Sequence, residues 1–266
     1  MHKQKNKSGF TLVELLVVIS IIALLVSILM PALGSARKQA TQLVCATNLR
    51  SLGQGIMIYG EENDGHLPMN IYQDIETRRE KTDPWASYFM GKYSASVKAG
   101  TPEERWDDMR NGTGWVGNLG LLFTEGVLEG GVEVAYCPSN KSGGFSFQTY
   151  GGDSDFPSSE DGTIRTSYSY LPQHKSRKHP AAILADFPDA AYKISNLDTG
   201  RSILSDLLHS NDNMFHGRGG IFGVNMMMGD TSVSFKLDTY NMIGDYTNLI
   251  QEDFAWRNVI RELERE

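Results

Sequence analysis

The chain has 266 residues, of which 40% are apolar and 21% charged, with two cysteines and nine prolines. That balance excludes a collagen-like repeat, a disulfide-dense mini-protein and a wholly disordered chain, and the length allows one or two domains. With 25 basic against 32 acidic side chains the net charge is −7, which argues against a nucleic-acid binder, since such proteins need a basic surface to displace counterions from phosphate.

The N-terminal forty residues are the most informative. Residues 1–9 are polar and carry Lys3, Lys5 and Lys7, and at Phe10 the chain turns apolar. From Leu15 to Leu33 there is no charge. As a helix that stretch is roughly 28 Å long, against a hydrocarbon core of about 30 Å. The preceding lysines predict a short cytoplasmic N-terminus and an exported remainder. A secretory signal peptide, cut near Gly34-Ser35-Ala36, would have a shorter apolar region and no acid within it. A plain membrane anchor fits the length but leaves Glu14 unexplained, because a carboxylate there costs on the order of 2 kcal/mol or more unless paired.

The string Gly9-Phe10-Thr11-Leu12-Val13-Glu14 resembles the type IV prepilin signal, and that reading accounts for the acid. The resemblance implies that a membrane peptidase cuts after Gly9, that the new N-terminal Phe10 is N-methylated, and that Glu14 is the fifth residue of the mature chain. In a filament Glu14 would pair with the terminal amine of a neighbouring subunit, so that neither charge is buried alone. The resemblance also implies that Pro31 kinks or locally melts the helix, since proline removes a backbone donor and its ring clashes with the preceding turn. Loss of the leader removes three lysines and no acid, leaving an acidic, extracytoplasmic chain.

Beyond Pro31, Leu33, Ala36, Ala40, Leu43, Leu49, Leu52, Ile56 and Tyr59 recur at steps of three and four and mark one face of an amphipathic helix. Gly53, Gly55 and Gly60 each weaken a helix by about 1 kcal/mol relative to Ala, so something must pack closely on them. Glu61-Glu62-Asn63-Asp64-Gly65 is a stop. One helix from about Phe10 to Tyr59 would be roughly 75 Å long. The expected organisation is a leader at 1–9, a transmembrane and filament-core helix at 10–33, its amphipathic half at 34–62, and a globular head at 63–266.

The segment Cys45–Gln54, with Tyr59, Asn63, Gly65, Leu67 and Pro68, is similar to a prepilin-like group abundant in planctomycete and lentisphaera-type bacteria. Trp115–Leu122, Tyr136-Cys137-Pro138-Ser139 and Asn225–Val233 resemble further segments of that group, the last with His216 as its histidine. Thr231 stands where the group has glycine, and the His-to-Asp spacing is longer. The implied fold class is α+β, a long N-terminal helix packed on a head with an antiparallel sheet. Within the head, Val132–Tyr136, Ser167–Leu171 and Ala182–Ala185 read as strands, and Gly117–Leu128 as a short helix. Gly220–Met227 and Ser232–Leu237 read as a hairpin around Gly229-Asp230-Thr231. Leu249, Ile250, Phe254, Val259, Ile260 and Leu263 have the spacing of a C-terminal helix. Residues 74–113 and 139–163 read as loops or insertions.

The candidate chemistry of the head is modest. Cys45 and Cys137 are either a bridge, worth about 4 kcal/mol by loop-closure arithmetic, or two buried thiols. Asp153, Asp155, Glu160 and Asp161 form an acidic loop that would supply several oxygens to calcium or is simply solvated, without EF-hand spacing. His209, Asp212, His216 and Asp230 could be grouped as a metal or hydrolytic site, but the spacing is not that of HExxH. Trp85, Tyr88, Tyr93 and Trp106 either stack on sugars or a secreted partner or pack an insertion. No phosphate loop, nucleophile elbow or CxxC occurs, so no catalytic residue and no required cofactor is assigned.

These features point to a pilin-like structural subunit rather than an enzyme, specifically a pseudopilin of a type II secretion system. Its expected location is the bacterial inner membrane, with the head periplasmic. Its expected partners are prepilin peptidase/methyltransferase, the secretion assembly platform, and other copies or related pseudopilins through the N-terminal helix, with no nucleic acid. The alternative is a single-pass membrane protein whose head binds carbohydrate or a metal and which uses the prepilin-like segment only for export.

Overall fold

The computed structural model describes residues 11–68, 72–73, 80–81, 89–92, 115–128, 131–140, 145, 163–170, 193–207, 216–218, 221–238, 260 and 262–264. The chain divides into two compact units, Met1–Ala40 and Thr41–Glu266. Helix α1, Leu12–Glu62, begins in the first and ends in the second.

In the first unit the helix is uncharged from Leu15 to Leu33 and built there mainly from Leu, Ile, Val and Ala. Two of its serines close on the helix itself: Ser20 Oγ donates to Leu16 O at 2.8 Å and Ser27 Oγ to Leu24 O at 2.7 Å. That back-bonding removes the need for an outside partner in an apolar setting. The helix continues through Pro31, which lies inside it and does not end it. Pro31 has no N–H for the carbonyl four residues earlier, at Ser27, so one rung of the ladder is lost.

The second unit holds the core. Along α1, Cys45, Leu49, Leu52 and Ile56 are all fully buried. They pack in one cluster with Leu119, Leu122, Tyr168, Tyr170, Ile203, Leu204 and Met227. Each buried Leu or Ile contributes about 1.5–3 kcal/mol by removal of apolar surface from water. The helix glycines have a packing reason. A Cβ at Gly53 would overlap the Met227 thioether, and one at Gly60 would meet the Ile194 side chain. The helix closes where the stop signal stands: Gly65, at φ 79°, donates its N–H to Gly60 O at 2.8 Å, a left-handed C-terminal cap.

Among the described residues three antiparallel sheets follow. Strands β1 (Tyr72–Gln73) and β2 (Glu80–Lys81) pair with each other. Strand β3 (Phe89–Lys92) lies between β4 (Trp115–Val116) and β5 (Thr163–Arg165). The largest sheet is five-stranded and contains β6 (Tyr168–Tyr170), β7 (Ser202–Asp206), β8 (His216–Arg218), β9 (Ile221–Met228) and β10 (Val233–Leu237). Its order is β10-β9-β7-β6, with β8 also paired to β9. The β9–β10 hairpin runs in the register Met227 opposite Val233, and Thr231 takes φ 68° in its turn, the position where glycine would be unstrained. Near the C-terminus, Glu264 accepts from the Ser202 N–H at 2.8 Å, the Ser202 hydroxyl at 3.0 Å and Arg201 Nε at 3.2 Å.

The α+β class, the long helix and the hairpin match expectation. Several local readings do not. Val132–Ala135 is a 3-10 turn rather than a strand. Its alternation of apolar and polar residues imitates a strand, but Tyr136 N–H bonds Glu133 O within the turn, and the Ala135 carbonyl is taken by Ser167 N–H and the Thr166 hydroxyl. Helix α2 spans only Gly120–Thr124, not Gly117–Leu128. Positive φ at Asn118 and Gly126 bounds it on both sides. The segment 74–113, which reads as loop or insertion, supplies β2, paired to β1, and β3, which gains partners on both edges from β4 and β5. The predicted strand at Ala182–Ala185 lies outside the described residues. So does most of the C-terminal helix, of which Ile260 and 262–264 are helical.

Candidate functional site

Among the described residues, two places carry polar chemistry beside apolar side chains. The first is the start of α1. Thr11 stands just before the helix, and Glu14 is three residues on. The Glu14 N–H donates to Thr11 Oγ1 at 3.2 Å, while Glu14 Oε2 accepts from the Thr11 N–H at 2.9 Å and from the Thr11 hydroxyl at 2.8 Å. This reciprocal arrangement is a capping box, which satisfies two otherwise orphaned donors at once. The carboxylate also sits at the positive end of the helix dipole. Thus Glu14 closes the rod within its own chain as well as carrying a charge. The spacing Thr-x-x-Glu was readable in the sequence as a cap, and only its role as a charge partner was drawn from it.

Past this cap the apolar side chains have no cover among the described residues. Leu12 is 86% exposed and Leu29 63% exposed, and the residues from Thr11 to Ala40 are exposed throughout. Among the described residues, α1 is long and apolar enough to cross a membrane. Gly9 and Phe10, the expected processing point, lie outside the described residues.

The second place is inside the head. Cys45 on α1 and Cys137, 92 positions later in the chain, are joined as a disulfide with their Cα atoms 5.5 Å apart. Around the bridge gather groups that sequence reasoning left apart. His216 on β8 brings Nε2 to 3.6 Å from Cys137 Sγ. Asp206, at the end of β7, places Oδ2 3.8 Å from the same ring nitrogen. Asn225 on β9 donates both its N–H, at 2.7 Å, and its Nδ2, at 3.0 Å, to Asp206 Oδ2. Burial pushes the Asp206 carboxyl up to about 7 against those two bonds, and burial pushes the His216 imidazole down to about 4. The histidine is therefore neutral at physiological pH, and its contact with Asp206 is not an ion pair. Asn48 joins helix to sheet nearby, donating to Tyr136 O at 3.2 Å and to the Tyr168 hydroxyl at 3.3 Å.

The carboxylate partner of His216 is thus Asp206 and not Asp230. His216 faces Gly223 in the β8–β9 register, whereas Asp230 lies beyond the end of β9 in an exposed turn, capping Ser232 N–H at 2.9 Å. His209 and Asp212 lie outside the described residues. The same holds for the acidic loop Asp153, Asp155, Glu160 and Asp161 and for the aromatic set Trp85, Tyr88, Tyr93 and Trp106.

Residues 4–30 match the family model of the prokaryotic N-terminal methylation motif. The chain is also similar to the type IV wide pilus major component PilA4 of Thermus thermophilus, at 40% identity over 62 residues. That match covers 23% of this chain and 47% of the pilin, so it spans about half of that relative's length. No solved structure matches the chain. Through its N-terminal segment the chain is type IV pilin-like and carries the methylation motif.

Proposed function

We propose that the protein is a structural subunit of a type IV pilin-like filament, cleaved after Gly9, N-methylated at Phe10 and assembled through its N-terminal helix. The observation that carries this reading is the exposed apolar rod with a single carboxylate at its mouth, inside the segment that matches the methylation motif. Before assembly the rod rests in the inner membrane with the head outside the cytoplasm. On assembly its side chains exchange lipid for neighbouring helices. Glu14 then exchanges part of its local cap for the amine of an adjoining copy. The missing rung at Pro31 is the place where the rod yields as helices bundle. Prepilin peptidase/methyltransferase and an inner-membrane assembly platform are the partners this sequence of events requires.

Within that class we assign the chain to the pseudopilins of type II secretion systems. Intact-mass and N-terminal analysis of the native protein tests the broad reading: a chain beginning at N-methyl-Phe10 is expected, and retention of residues 1–9 in cells that process other prepilins would overturn it. Deleting the gene tests the finer reading. Loss of protein secretion is expected, whereas intact secretion with loss of surface fibres would make the chain a pilus subunit instead.

A further inference from the structure

Cys45, Cys137 and His216 offer Sγ, Sγ and a ring nitrogen that all lie within 4.8 Å of one another, and all three residues are buried. Asp206 extends the group through its contact with His216. Its carboxylate is 3% exposed as a residue, and its Oδ1 is buried with no hydrogen-bond partner among the described residues. An occupant that satisfies an orphaned buried oxygen of this kind stabilises the fold. Bond lengths of about 2.3 Å to sulfur and about 2.0–2.1 Å to nitrogen and oxygen make the edges of a tetrahedral zinc site about 3.4–3.8 Å. The sulfur–nitrogen separation of 3.6 Å falls at that scale. Asn225 fixes the Asp206 carboxylate through Oδ2 beside the His216 ring, as outer-shell groups are held beside a ligand. Two sulfurs and one imidazole suit zinc better than a hard cation such as calcium.

We propose that the dithiol form of the head binds one zinc-class divalent ion between Cys45, Cys137 and His216, with Asp206 held beside the histidine in the outer shell, and that the disulfide form does not. Bridge and metal are then alternative staples of helix α1 to the sheet. Metal entry forms two metal–sulfur bonds and releases the two thiol protons. Return to the disulfide releases the ion: the two thiolates give two electrons to an external disulfide, which takes up two protons and leaves as two thiols. Opening the bridge is the reverse exchange with an external dithiol. The site lies wholly in the second unit and does not depend on how a filament is built.

The test uses the full-length chain in detergent, reduced with a phosphine without oxygen and titrated with cobalt(II) alone. The expected result is saturation at one equivalent, with the strong visible bands of tetrahedral cobalt, sulfur-to-cobalt charge transfer in the near ultraviolet, and displacement by zinc. The oxidised chain should give none of these. His216→Ala, its conservative counterpart His216→Gln, and Asp206→Asn should each weaken cobalt binding at least tenfold. Near-ultraviolet circular dichroism of each metal-free chain reports whether the head is folded. A reduced chain with native dichroism and no tetrahedral spectrum overturns the proposal, as does a reduced chain whose dichroism is lost and not restored by cobalt. Unchanged affinity in both His216 variants overturns it equally.

Discussion

The two halves of helix α1 use similar residues for opposite ends. Between Leu12 and Leu33 nearly every side chain is apolar and every one is exposed. Between Thr41 and Glu62 the apolar residues Cys45, Leu49, Leu52 and Ile56 fall on a stripe and are fully buried, while Leu43, Val44 and Ile58 lie off it and are exposed. Apolar count therefore does not report burial within the chain, whereas arrangement does. A stripe selects one neighbour, and here that neighbour is the chain's own sheet. An apolar surface on all sides selects none, and is suited to lipid or to a ring of other helices.

The contrast can be broken most drastically at its first residue. Gly9→Val should abolish leader removal, because the peptidase must admit a small residue there; normal maturation on a gel would refute this. Glu14→Ala should leave cleavage intact but reduce filament formation to background, measured by sedimentation of sheared filaments, since the amine of a neighbour then lacks its partner.

Substitutions in the two halves should then separate cleanly. Leu49→Ala should destabilise the head by about 2–5 kcal/mol through the cavity it leaves. The same change at Leu25, 54% exposed, should leave unfolding of the detergent-solubilised chain unchanged. Equal effects at both positions would erase the distinction. Gly53→Ala should cost about 1–3 kcal/mol, because the added methyl group displaces Met227, although alanine is the better helix former.

The smallest expected effect is a near-absence of pH dependence. Folding lowers the His216 value from 6.5 to about 4. Between those values the unfolded chain binds the extra proton, and stability rises with pH. Folding raises the Asp206 value from 3.8 to about 7. Across that window the folded chain binds the extra proton, and stability falls with pH. Tyr168, held further up by burial and by Asp206, stays neutral throughout. The opposed slopes should leave denaturation midpoints nearly level from about pH 4 to 6.5. His216→Ala should expose the falling slope and Asp206→Asn the rising one.

How much of this was legible in the sequence depends on whether a signal is local. The rod, its cap at Thr11–Glu14 and the stop at Gly65 are set by residues within a few positions of one another. The β9–β10 hairpin is also local, since its strands flank one turn. Strand β7 was missed because all five of its residues are buried between β6 and β9, so Ser-Ile-Leu-Ser-Asp shows no alternation of inside and outside. Val132–Ala135 misled for the converse reason, since alternation there accompanies a turn. The cluster around Cys137 was invisible because residues 45, 137, 206, 216 and 225 meet only once the sheet has formed. Pairing of the two cysteines was left open, and nothing in their spacing pointed to His216 or Asp206.

The Cys45–Cys137 bridge lies at the N-terminal edge of the buried stripe, ahead of Leu49, Leu52 and Ile56. In a filament under tension, load enters each subunit along its rod and must leave through its head. The first connection that load reaches is covalent, so the hydrophobic contacts behind it are shielded from shear. A pulling experiment on a single subunit should then rupture at low force only when reductant is present.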